Sequence, residues 1–330
     1  MSVPFEGLGD AKVGLLEAPA THSKKTAFWL TDFLWSDGAL QIRKTGIRLK
    51  PDYYLFEEIA SWAVWLIILW TAAFIARLTR ARRRSLAYLP ERPRPWYLMR
   101  AAALWAGFDM TSDVAQADGV FYFDDVTEAA PQAGASHAPR FNFACTDISK
   151  SHVAQVFEEV FGYPLLIDPQ TAIGSIVEKS ETNGVHDGRV VEAPLSPRKG
   201  YCYQRLIDTK APDGWCRDLR TPCVGGTPIV VWLKEKPGAE RFSIHNHRAR
   251  LRDPADIFSL EEMSLIGRFN ARMGLDWGGL DILRDQDGRI YIVDVNKTDL
   301  GPVIALSWSD KIRSMNRLST ALKQRLGGAT

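Results

Sequence analysis

Three oxygen-bearing side chains near the C-terminal end, Asp281, Asp294 and Asn296, have the types and spacing to hold a hard cation. The runs Leu280 to Arg284 and Ile290 to Val295 are apolar or alternating and rich in β-branched residues, and Asp287-Gly288 between them suits a two-residue primed turn. With that turn, opposed residues sum to a constant, so Asp281 falls across from Asp294, and Asn296 shares the face of Asp294. A longer loop, Asp285 to Gly288, would stagger the three but keep them on one face. Like charges placed opposite each other repel, so a cation between them makes physical sense. Carboxylate and amide oxygens without a nearby His or thiolate suit Mg²⁺, with Mn²⁺ as a second choice. An exposed hairpin with solvated acids is the alternative.

Upstream, an apolar approach leads to Glu178-Lys179, and Ser180 to Gly188 follows with small or turn-forming residues. Such a loop can bring backbone N–H groups up to an anion. Its spacing matches neither a Walker A loop nor a dinucleotide fingerprint. Asp218-Leu219-Arg220 precedes Val224-Gly225-Gly226 and a strand from Ile229 to Leu233. A guanidinium there suits phosphate oxygens through its fork of donors. Lys234, Lys236 and Arg241 add positive charge, with Lys236 read as a solvated turn residue. Lys150, in the first turn of a helix capped by Asp147 or Ser149, is read as a solvated surface lysine.

The order of these parts resembles the ATP-grasp ligases, in the branch that glutamylates a ribosomal protein or tyrosinates tubulin. The resemblance covers roughly residues 90 to 326. It rests on a lysine strand, a glycine loop, D-x-R, a glycine-preceded Asp, then acid-x-Asn. In that family the acid is usually Glu, so Asp294 shortens the ligand by one methylene. The resemblance implies an α+β ATP-grasp fold in which two lobes grip ATP, behind a shortened α/β domain. It makes Asp281, Asp294 and Asn296 the Mg²⁺ ligands and Lys179 the phosphate lysine. Asn183, Gly184, His186, Asp187 and Gly188 form the lid, while Gln204, Leu206 and Ile207 flank adenine and Asp208 holds the ribose. Arg220 would meet the γ-phosphate or the acyl phosphate. The implied reaction joins a small-molecule or peptide carboxylate to an amine or thiol. A phosphotransferase and a non-catalytic nucleotide sensor stay open as alternatives.

The elements that must position these groups follow from patterning. Three-hundred-and-thirty residues, 46% hydrophobic and 24% charged, suffice for one large core or two smaller ones, and a net charge of +2 gives no polyanion signal, so nucleic acid is not expected as a partner. Four scattered cysteines with no C-x-x-C pair argue against a zinc site or a disulfide framework. Residues 1–58 show an aromatic cluster, no expected cleavable signal and no assignable chemistry.

Residues 59–84 form the next unit. Ile59 to Ala76 carries no charge, and Arg77, Arg80, Arg82, Arg83 and Arg84 follow it. As a helix it would be roughly 27 Å long, close to the ~30 Å hydrocarbon core. A single membrane span is the leading expectation, with the catalytic part cytoplasmic by the positive-inside bias. A membrane-surface helix, a core helix and a homo-oligomer contact stay open.

Pro90, Pro93 and Pro95 suggest a stiff linker inside the 85–145 domain, before a helix closing at Gly107 and a strand over Gly119 to Phe123. The ATP-grasp part is expected over 146–330. It holds a helix capped by Asp147 or Ser149 and running to about Phe161, stopped by Gly162-Tyr163-Pro164, and a Ser259-to-Glu262 capping box whose helix turns Leu260, Met263, Ile266, Phe269 and Met273 to a core. A last amphipathic helix carries Ile312, Met315, Leu318, Leu322 and Leu326.

Overall fold

The computed structural model describes residues 29–43, 48–79, 82–131, 137–185, 187–240 and 247–327. The chain enters through a small antiparallel sheet, β1 (Phe33–Ser36), β2 (Ala39–Ile42) and β3 (Arg48–Leu49). Asp37 and Gly38, both at positive φ, make the tight turn between β1 and β2. Helix α1 (Tyr53–Thr79) then contains the whole uncharged run.

Next, β4 (Ser85–Pro90), α2 (Leu98–Trp105), β5 (Asp109–Thr111), β6 (Gly119–Phe123) and β7 (Arg140–Phe141) build a parallel sheet in the order β5-β4-β6-β7. The prolines hid a strand here. Ser85 to Pro90 is a central strand, and Pro90, paired with Phe123 at its last position, ends it where a missing N–H costs least. Gly107 adopts φ 79° after α2, as its place in the sequence suggested.

Helix α3 (Lys150–Phe161) starts at Ser149, whose hydroxyl accepts from the His152 N–H, and ends at Gly162 in the left-handed region. Strands β8 (Gly174–Ser180), β9 (Arg189–Ala193) and β10 (Tyr201–Arg205) follow as an antiparallel sheet with β8 in the middle. The larger sheet uses β11 (Trp215–Val224), β12 (Thr227–Pro228), β13 (Val231–Pro237) and β14 (Arg248–Arg252). After α4 (Pro254–Ile257) and α5 (Leu260–Met273) it is completed by β15 (Trp277–Arg284) and β16 (Ile290–Asn296), in the order β14-β13-β11-β15-β16. The chain closes with α6 (Trp308–Arg325).

One face of the large sheet is apolar: Leu280, Ile282 and Val295 pack with Phe157 of α3 and Ile266, Phe269 and Met273 of α5 into a buried core. Both halves of the Ser259–Glu262 capping box form. Leu260 is a correction: at about 100° per residue it lies well off the arc of Ile266, Phe269 and Met273, and it is exposed. Ile312 is likewise at the surface, whereas Met315, Leu318 and Leu322 are buried. A second core joins α1, α2 and α6 with the parallel sheet. The opposite face of the large sheet is divided: Val224, Trp232 and Trp277 pack into that second core, and the charged residues of the site occupy the rest of it.

Candidate active site

Asp281 and Asp294 are directly opposed, but by a different route from a two-residue turn. The loop is longer, with Arg284 paired to Ile290, the Asp285 N–H donating to the Arg289 carbonyl at 2.9 Å and the Gly288 N–H to the Asp285 carbonyl at 3.2 Å. That register alone would place Val293 across from Asp281 and turn Asp294 into the core. Between Ile282–Ile292 and Asp281–Asp294 the pairing shifts by one residue, a bulge at Val293. The extra residue keeps Ile292 in the core while bringing Asp294 onto the face of Asp281. Asn296 lies opposite Gly279 on that same face.

Arg220 on β11 is the register partner of Asp281, and its Nη1 donates to Asp281 Oδ2 at 2.7 Å. Its Nη2 binds Asp299, whose side chain is fully buried just beyond β16. Lys234 on β13 reaches Asp281 Oδ1 at 3.2 Å, and Lys150 at the start of α3 pairs with Asp294. Lys150 also donates to Asn183 Oδ1 at 2.9 Å. Burial opposes ionisation of Asp281, yet Arg220 and Lys234 outweigh it and hold the carboxyl well below the usual range. Asp299 goes the other way: burial dominates and raises its pKa even though Arg220 is bound. Gly279 makes this packing feasible, because a Cβ there would lie 2.2 Å from Asp299 Oδ2 and 2.9 Å from Arg220 Nε.

Lys179 projects from the middle strand β8 and donates to Gln204 Oε1 on β10 at 2.9 Å. Burial lowers its pKa, opposed chiefly by Asp294. Four cationic side chains (Lys150, Lys179, Arg220, Lys234) thus face three carboxylates (Asp281, Asp294, Asp299). The loop after Lys179 is tied down at several points. The Asn183 N–H donates to Thr127 Oγ1 at 2.8 Å, the Ser180 N–H to Asp187 Oδ1 at 3.0 Å, and Ser151 holds Glu181. Gly184 takes φ 80° with open space around it, and Gly188 leads into β9. His186 and Arg241 lie outside the described residues.

Leu206 and Ile207 directly follow β10. Exposed Asp208 accepts from the Lys210 N–H at 3.0 Å, and Gln286 of the β15–β16 loop reaches the carbonyls of Asp208 and Lys210. Lys179 and Gln204 therefore join the charged cluster, while Asp208 stands on the connection between the two sheets.

Two lysines expected in solvent are buried. Lys150 pairs across to β16, and Lys236 sits on β13 with Asp218 at 4.0 Å rather than in a turn. Asp299 and Thr127 carried no expectation. The one signal for Asp299 is the polar run Lys297-Thr298-Asp299 just after an apolar strand, all three buried.

Among the described residues, no group of three or more His, Cys, Asp or Glu side chains forms a cage that could hold a metal by protein ligands alone. The donor set here is smaller, two opposed carboxylates and an amide, as befits a cation that keeps waters and shares substrate phosphates. Two buried polar atoms at this place, Asn296 Nδ2 and Asp299 Oδ2, have no hydrogen-bond partner within the protein. The residues present fit Mg²⁺ shared with a polyphosphate, with the ammonium of Lys150 now standing against Asp294.

No protein-family model and no curated protein matches the chain. Among solved structures, the ATP-grasp ligase PsnB complexed with minimal precursor matches with a TM-score of 0.50 and 13% identity, covering 74% of this chain and 99% of that one. PsnB complexed with a phosphomimetic variant of minimal precursor, Mg and ADP matches with a TM-score of 0.39 and 16% identity over 57% of this chain, which spans 62% of that chain's length. A RimK domain protein ATP-grasp from Sphaerobacter thermophilus DSM 20745 matches with a TM-score of 0.43 and 14% identity, covering 74% and 100%. The chain has the ATP-grasp fold.

Proposed function

We propose that this protein is an ATP- and Mg²⁺-dependent ligase that joins a carboxylate to an amine through an acyl phosphate. The observation that carries this reading is the charged part of that face of the large sheet, where Asp281, Asp294 and Asn296 meet Arg220 and Lys234 within reach of Lys179 from the neighbouring sheet. Four cations against three carboxylates suit a bound polyphosphate whose negative charge must be offset. The PsnB structures named above are of an ATP-grasp ligase with a minimal precursor, one of them with Mg and ADP. A peptide carboxylate or amine is the substrate class we favour.

In this reading Lys179, Lys150 and the backbone N–H of Gly184 hold the phosphates, while Thr127, accepting from the Asn183 N–H, and Lys150, donating to Asn183 Oδ1, keep the loop in place. Asp281, Asp294 and Asn296 would hold the magnesium, which when bound offsets phosphate charge and orients the transferred group. A substrate carboxylate oxygen attacks the γ-phosphorus and the bond to ADP breaks, giving an acyl phosphate. The amine then attacks the carbonyl carbon, inorganic phosphate leaves, and the amine proton passes to solvent. Arg220, with Nη1 on Asp281 and Nη2 on Asp299, would use its remaining N–H donors for the equatorial phosphate oxygens. Asp299, behind it, fixes the guanidinium and is a positioning residue.

The same reading tethers the enzyme to a membrane through α1, with the catalytic part on the cytoplasmic side. Its support is the apolar stretch Leu55–Thr79, long enough to cross a bilayer, and the arginines that follow. Purified protein, ATP, Mg²⁺ and pooled cell metabolites or peptides, read by mass spectrometry, test the chemistry. A product lighter by one water than its two parts, with ADP and phosphate released, is expected. A stable phosphorylated product, or binding without ADP formation, refutes ligation.

A further inference from the structure

Helix α1 is fastened side-on to the catalytic body along most of its length. Trp65, Leu69 and Ala73, four residues apart, are buried in the core they share with α2. Trp65 stacks on Trp105 with centroids 5.9 Å apart, Trp62 lies 6.4 Å from Trp96, and Arg77 pairs with Asp109 at 3.2 Å. A Cβ on Gly107 would stand 3.2 Å from Ala76. From residue 62 to 77 these contacts cover about 22 Å of helix axis. A helix crossing a bilayer would need hydrocarbon or other apolar spans at that level, whereas here one side of it is taken up by α2, Trp96 and Trp105 of the folded body and, at its end, by the Arg77–Asp109 ion pair.

The opposite side of α1 is apolar and bare: Phe56, Ile67 and Phe74 are 71%, 62% and 61% exposed, and Ile59, Trp70 and Leu78 stand with them. Val64 and Ile75, also exposed, widen the arc to about 160°. A helix-pair seam is narrower than that, so one partner helix would leave much of the arc in water. A flat lipid surface covers it. Arg82, 78% exposed although paired with Asp118, and exposed Arg83 follow the helix and bring positive charge beyond its C-terminal end, complementary to anionic headgroups, while Arg84 is half-buried and bonds the Gly327 carbonyl.

We propose that α1 lies in the plane of an anionic lipid surface, its bare arc sunk into the headgroup and acyl boundary, and that it does not cross the bilayer. This rests on the reading above that α1 meets a membrane, and adds its orientation. Because Trp65, Leu69 and Ala73 stay in the core, the catalytic body is held at one fixed attitude to the surface.

The test uses the full chain with vesicles of phosphatidylcholine, with and without phosphatidylglycerol. Nitroxide labels are placed one at a time through Phe56→Cys, Ile67→Cys and Phe74→Cys, which lie within about 20° of one line along the helix, the four native cysteines being buried. All three labels should report one shallow depth, and binding should strengthen with phosphatidylglycerol. Ile67→Glu with Phe74→Glu should weaken vesicle binding by at least about tenfold while leaving nucleotide affinity unchanged. Depth rising to the bilayer centre at Ile67 and falling on either side would overturn the in-plane orientation and leave the membrane reading intact. Three labels that stay aqueous with every vesicle, together with a concentration-dependent dimer, would overturn both and assign the arc to a second copy of the chain.

Discussion

Adding one methyl group at Gly279 is the sharpest probe of the site, because that group has nowhere to go. The alanine Cβ would sit 2.2 Å from Asp299 Oδ2, 2.8 Å from its Cγ and 2.9 Å from Arg220 Nε. Relieving the clash requires a shift of about 1 Å in groups locked by charge-assisted bonds, which is enough to lose their geometry. Asp299 is fully buried, so separating it from Arg220 leaves an uncompensated charge, at a cost of about 3–5 kcal/mol. Gly279 has no positive φ, so backbone strain adds nothing. Gly288→Ala, at a turn with φ 85° and open space around it, is the control and should cost only about 1 kcal/mol.

Urea denaturation gives the stability change, and ADP release under saturating ATP and substrate gives turnover. Gly279→Ala should lose both, and the stability loss should shrink by more than about 1 kcal/mol in an Asp299→Ala background, where the methyl has room. Wild-type stability and turnover in Gly279→Ala, or strict additivity with Asp299→Ala, would refute the claim that Asp299 holds Arg220 in place.

The other predictions follow from the same contacts. Lys179→Met should weaken ATP binding by about 1.5–3 kcal/mol, one charge-assisted contact, measurable by calorimetry, and unchanged affinity would remove Lys179 from the phosphate site. Asp294→Asn should abolish Mg²⁺-dependent turnover, while weakening the Lys150 contact costs no more than about 1–3 kcal/mol in a denaturant titration. Full turnover in that variant would dismiss Asp294 as a metal ligand. Glu178 supplies a pH test: although burial opposes its ionisation, Tyr203 at 2.7 Å, with Arg189 and Arg198 at 2.8 Å, lowers its pKa. Its stabilising contribution is therefore complete above the unfolded value of about 4.3 and lost as pH falls through the folded value. The stability gap between wild type and Glu178→Gln should be steady near neutrality and close below about pH 4; a gap that widens in acid would reverse the sign argued here.

What the sequence alone determined about this protein is what short-range physics determines. Gly162 and Gly274 end α3 and α5, Ser259 and Glu262 close a capping box, and Gly119 to Phe123 is a strand, because caps and apolar runs act within a few residues of themselves. The uncharged helix was legible for the same reason, but its burial on one side was not. Trp65, Leu69 and Ala73 look no more apolar than their neighbours until α2 is beside them. The opposition of Asp281 and Asp294 was read correctly through a turn that does not form, and only the bulge at Val293 restores it. Lys150 meets Asp294 across 144 residues and Arg220 meets Asp299 across 79. No local pattern records such pairings. Whether a lysine is solvated or buried is set by whatever the fold brings against it, so only the tertiary structure buries Lys150 and Lys236, which the sequence leaves in solvent, and sets Asp299, which no local pattern singles out, behind Arg220.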